Sequence, residues 1–153
     1  MNIRIQVRSV SAKSATSNGL VYRLISVASL VGLPISFGVI GATALGDPVF
    51  GVVAGLMSGV GGHLFLPWFV QISTVQENAD GEVGLGEAVA QVSDRPQRKV
   101  LGLGLDMGGI IMIAIGLTLD SPNLIAGLAG GFAFAVLVYL AGSVALNRVV
   151  PAA

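Results

Sequence analysis

Two ionisable side chains sit in strongly apolar settings: His63 in VAGLMSGVGGHLFLPWF and Asp106 in VLGLGLDMGGIIM. Burying a charged residue at the centre of a membrane helix costs about 2.5–3.5 kcal/mol on insertion scales, so such residues are paired or functional. Imidazole titrates near neutrality, and a histidine beside a carboxylate could pass protons or respond to pH. His63 lies about eight residues before the end of its apolar stretch, and Asp106 about six after the start of its own. At 1.5 Å per residue those depths are roughly 12 and 9 Å, close enough for a pair if the two stretches are neighbours. Plainer roles compete with that one. His63 could bond a carbonyl freed near Pro67, and Asp106 could reach water, Arg98 or Lys99. A proton relay also needs more stations than two, and the outer halves of the apolar stretches offer only Thr43, Ser58, Met112 and Thr118. The plainer roles carry more weight.

Other chemistries fare worse. The chain has no cysteine, which removes disulfides, thiol catalysis and Cys-ligated metals. One histidine could hold a haem only across a symmetric dimer, so neither a cofactor nor a metal is expected. Ser58 and His63 lie five positions apart on one helix and point about 140° away from each other, which disfavours a serine nucleophile with a histidine base. The acidic residues Glu77, Asp80, Glu82, Glu87 and Asp94 lack EF-hand spacing and read as a solvated face. A glycine stripe followed by a carboxylate in the next helix resembles the rotary ATPase proteolipids. Those keep a short polar loop inside the hairpin, however, where this chain has the long segment Ser73 to Lys99.

The elements that must hold these residues are membrane helices. Of 153 residues, 54% are hydrophobic and 10% charged, against about 25% charged in a soluble domain. Four stretches, about 20–45, 48–71, 100–119 and 123–146, are long enough to cross the roughly 30 Å hydrocarbon layer. The expected fold is an all-α integral membrane protein of four transmembrane helices in two hairpins, the domain covering residues 20–147. Gly46-Asp47-Pro48 and Asp120-Ser121-Pro122 make the tight turns, and residues 73–99 form the one long loop. Within that loop Leu85, Ala88, Val89 and Val92 fall at helical spacing, which predicts a short interfacial helix. Residues 1–19 form a basic polar arm whose Ile3–Arg8 alternation suggests an extended segment, and 148–153 a short tail.

Every Lys and Arg lies in the arm, at the start of the first span, in the long loop or at the C-terminal end. The positive-inside rule then places both termini and the long loop in the cytoplasm. Arg23, Arg98, Lys99 and Arg148, with Tyr22, Trp68 and Tyr139, are the expected anchors at that boundary. The 22 glycines cluster inside the apolar stretches. Gly51, Gly55 and Gly59 lead to His63 at steps of four, as in a glycine zipper. Gly102, Gly109 and Gly116 share a face with Asp106, and Gly127 and Gly131 mark the last span. Val53-Ala54-Gly55-Leu56 echoes Ile125-Ala126-Gly127-Leu128, raising a parallel internal repeat of the two hairpins.

Zero net charge suggests no specific nucleic-acid partner. The first expectation is a non-enzymatic structural or accessory subunit, packing through glycine faces as a homo-oligomer or with other membrane proteins. The N-terminal arm and loop 73–99 would dock a cytoplasmic partner. Its expected place is the plasma membrane of a prokaryote, or a virion envelope derived from one. The alternative is a small oligomeric ion or proton channel using His63 and Asp106. Such a channel needs polar groups through the whole membrane thickness, and here they gather in the inner half.

Overall fold

The computed structural model describes the backbone of residues 3–79, 83–92, 96–119 and 121–149, and the side chains among them from 19 to 148. Asp80, Glu82, Asp94, Arg95 and Asp120, to which the sequence reading gave loop and turn roles, lie outside the described residues, as does the tail from 150. Five α-helices follow in order: α1 Ile3–Ile40, α2 Pro48–Glu77, α3 Leu85–Val92, α4 Pro96–Thr118 and α5 Leu124–Val149. There is no strand among the described residues. Four helices are long and apolar enough to cross a membrane: Gly19–Leu45, Pro48–Glu77, Pro96–Thr118 and Leu124–Arg148.

The N-terminal segment is helical from Ile3, not extended, and runs unbroken into the first apolar stretch. Pro34 stands inside α1, where a proline removes one backbone donor. At its far end the helix widens into a single π-helical turn, Gly41–Leu45. Gly46 then adopts φ +67°, a left-handed conformation that glycine takes without a side-chain clash, and reverses the chain. The Asp47 side chain accepts from the Phe50 amide at 3.0 Å with Pro48 at the first helical position, so α2 starts where its cap dictates. The second turn is built differently. Asn123 caps α5 by accepting from the Ala126 amide at 3.0 Å, and Pro122 precedes that cap rather than following it. Pro48 and Pro122, one from each turn, therefore occupy different positions relative to the caps.

The long helices pack as a row in the order α1, α2, α4, α5. Position in the row decides burial. In the apolar stretches of the four helices, half of α2 and 44% of α4 is buried, against 11% of α1 and 17% of α5. Two apolar clusters close the ends of the row. At the turn end Phe50, Ala54, Met112 and Ile113 pack with Phe37, Leu45, Val53 and Leu128. At the other end α3 lays Ala88 and Val89 over Trp68 and Ile72 of α2, joined by Leu146 of α5.

That second cluster alters one expectation. Trp68, placed by its sequence position at the lipid boundary, is 8% exposed because α3 covers it. Tyr22, Lys99 and Tyr139 are half-buried, while Arg23, Arg98 and Arg148 are exposed. The apolar face of α3 is Ala88 and Val89, whereas Leu85 of the same helix is 59% exposed. This helix is tied to the protein as well as being amphipathic.

Candidate functional site

Lying between two neighbours, α2 needs two close-packing faces, and its sequence supplies both. The face toward α1 carries Gly51, Gly55 and Gly59. A Cβ on Gly55 would stand 2.5 Å from the Pro34 Cα, and one on Gly59 would stand 2.8 Å from the Ser29 carbonyl oxygen. The face toward α4 carries Ala54, Ser58 and Gly61, at steps of four and three. A Cβ on Gly61 would lie 2.5 Å from the Gly102 carbonyl oxygen and closer still to the Asp106 amide. From the α4 side, one on Gly109 would meet the Ala54 carbonyl oxygen at 2.5 Å.

Other glycines serve further contacts. Gly116 and Gly127 both border the Phe50 ring, at 2.8 Å for an added Cβ. Gly104 and Gly108 of α4 face Ala135 and Gly131 of α5 across carbonyl oxygens at 2.5 and 2.6 Å. With no side chains between them, these backbones approach closely, the arrangement that small residues permit in membrane helices.

His63 and Asp106 are each bonded to a serine, and not to each other. The Ser26 hydroxyl of α1 and His63 Nδ1 share a hydrogen bond of 2.7 Å, and His63 is exposed. On the opposite side of α2 the Ser58 hydroxyl meets Asp106 twice, at the carboxyl Oδ1 and at the backbone carbonyl oxygen, the latter at 3.0 Å. Ser58 is 0% exposed and Asp106 half-buried. The physical reason for the separation is helical phase. Positions 58 and 63 differ by about 140° around α2, so once Ser58 faces α4, His63 must turn toward α1. The carbonyl freed by Pro67 is that of His63 itself, and the Ser26 hydroxyl, not the imidazole, lies against it at 3.5 Å. Arg98 and Lys99 lie eight and seven residues from Asp106, roughly 10–12 Å along α4, and Asp106 bonds to Ser58 instead.

Sequence reasoning missed both serine partners. For Ser58 a signal existed. Small residues at 54, 58 and 61 form a second stripe on α2, which a helix flanked on both sides requires. For Ser26 there was none beyond its polarity in an apolar run.

Ser58 has a carboxyl group against its hydroxyl but no exposed surface on which a substrate could approach. No group of three or more His, Cys, Asp or Glu capable of holding a metal occurs among the described residues. Comparison with family models, curated proteins and solved structures found no match.

Proposed function

We propose that this chain is a non-enzymatic multi-pass membrane protein, a structural or accessory subunit of a larger membrane assembly. Its four long helices cross the bilayer, with both termini and α3 on the cytoplasmic side by the positive-inside rule. The observation that carries the reading is the local satisfaction of its intramembrane polar groups. His63 through Nδ1 and Asp106 through Oδ1 each bond a serine of the adjacent helix, at different faces of α2. Glycines beside these bonds bring backbone against backbone, which argues against a continuous polar path between them. The outer helices supply the assembly surface. With 11% and 17% of their apolar stretches buried, α1 and α5 leave most of their area to lipid, further copies or partner helices. The basic N-terminal segment and loop 73–99 stand where a cytoplasmic component could dock.

Ion flux into liposomes separates this reading from a channel built on the Ser58–Asp106 contact, which lies near mid-length in α4 and about a third of the way along α2. Wild type, Asp106→Asn and His63→Ala are expected to give the same flux as protein-free vesicles. A wild-type flux above that background, lost in either variant, would replace the subunit by a conductor.

A further inference from the structure

We infer that α3 is a detachable cover over Trp68, which lifts to let the indole N–H reach the membrane boundary. The observation that carries this is a pair of polar atoms with nothing to bond. Among the described residues, Trp68 Nε1 and Ser143 Oγ are buried without a hydrogen-bond partner. Trp68 lies beneath Ala88 and Val89 of α3. Ser143 stands one turn before Leu146, which joins the same cluster from α5. An indole N–H can only donate, and one shut away unpaired works against the state that buries it. Nothing in the packing asks for a donor there. Trp68 follows Phe50 by 18 residues, about five helical turns, and so points to the same side of α2. Phe50 closes the turn end of that side with an aromatic ring and no polar atom. Tryptophan at the α3 end gains its missing bond when α3 moves away and the N–H meets water or lipid carbonyls, the setting that amphipathic rings prefer.

The hold of α3 is slight. The helix is eight residues long, and the residues it buries, Gly86, Ala88 and Val89, are all small. The chain leading into it is tied to α2 by a long hydrogen bond, from Gln76 Nε2 to the Val83 carbonyl oxygen at 3.4 Å. Leu85, Ala88, Val89 and Val92 fall on one side of the helix. Docking uses that side unevenly, since Leu85 is exposed and Val92 half-buried. Laid along the membrane boundary, the same helix would place all four in the apolar layer. Two covers thus compete for one apolar face. Elements held by few buried contacts are the ones that open locally.

The inference rests on α3 standing at a membrane boundary, and the two claims fail in different ways. If the purified chain stayed dissolved without detergent, the setting would be wrong. Thiol labelling of the full chain in detergent micelles tests the cover itself, because the chain has no cysteine and a single tryptophan. Val89→Cys puts a thiol beneath the cover and Leu85→Cys one on its exposed side. Val100→Cys puts one in α4, buried beside Gly142 of α5. With a water-soluble maleimide, Val89→Cys should react about 10–1,000-fold more slowly than Leu85→Cys, as for an open state populated at about 0.1–10%. It should still react faster than Val100→Cys. The added group then bars α3 from docking, so Trp68 emission should move to longer wavelength, and labelling at Leu85→Cys should leave it in place. Equal rates at Val89→Cys and Val100→Cys would make α3 a fixed part of the bundle. Equal rates at Val89→Cys and Leu85→Cys would mean that α3 does not dock, and an emission unmoved by labelling would separate Trp68 from it. Any of these three results overturns the inference.

Discussion

The two sides of α2 are built from the same materials and arranged to opposite effect. Toward α1, Gly51, Gly55 and Gly59 let the backbones touch, and the seam ends in the Ser26–His63 bond, which is open to the outside. Toward α4, Gly61 borders Asp106 and Gly109 borders Ser58, and Ser58 has no exposed surface at all. Each seam thus pairs a glycine track with a serine bonded to an ionisable side chain. What differs is access. A polar group at an open seam can turn toward another partner or toward the membrane boundary when its bond is lost. One in a closed seam is left with an unmet hydrogen bond, at a cost of about 1–3 kcal/mol. The location of a bond, more than its chemistry, decides what it contributes.

The sharpest way to break the comparison is to fill the closed seam. Gly61→Leu would drive a side chain into the Asp106 backbone and the Gly102 carbonyl, atoms that cannot move without separating α2 from α4. Gly32→Leu on the outer face of α1 meets nothing within 4 Å. The expected outcome is loss of folded, detergent-extractable protein for the first variant and wild-type yield and melting temperature for the second. Equal behaviour of the two would mean that α2 and α4 do not meet at Gly61.

Next in size is Ser58→Ala, which leaves the seam its shape and removes only a hydroxyl. It strands Asp106, and the expected loss is about 1–3 kcal/mol, the range for an orphaned buried partner. Reversible unfolding in mixed micelles measures it. A loss near zero would show that water or a second donor reaches Asp106, and the seam would not be closed.

How much of this could be read from sequence divides along the same line. The four apolar stretches, the Asp47 cap and the glycine track ending at His63 follow from composition and period, because each depends on a local pattern. The partner of that track does not, since a stripe shows that something packs there without saying what. Pairing His63 with Asp106 matched two depths and left out rotation about the helix axis. Five residues separate Ser58 from His63, and that phase alone directs one to α4 and the other to α1. Trp68 was hidden by another non-local event, the return of α3 across it. Its neighbours in sequence give no sign of a cover supplied 20 residues later.

The smallest expected effect belongs to the open seam, and it carries the comparison furthest. Ser26→Ala removes the 2.7 Å bond to His63 Nδ1 and leaves Gly51, Gly55 and Gly59 packed on α1. Side-chain hydrogen bonds between membrane helices average about 0.6 kcal/mol in double-mutant cycles, because the separated helices also find partners. His63 is exposed and can do the same, so the loss should fall at or below that figure. A cycle with His63→Ala isolates the pairwise term from the removal of either side chain alone. If the coupling between Ser26 and His63 equalled or exceeded the effect of Ser58→Ala, access would not be what sets the energies. The open seam would then have to be covered in the membrane, by lipid headgroups drawn inward or by another helix lying across α1 and α2.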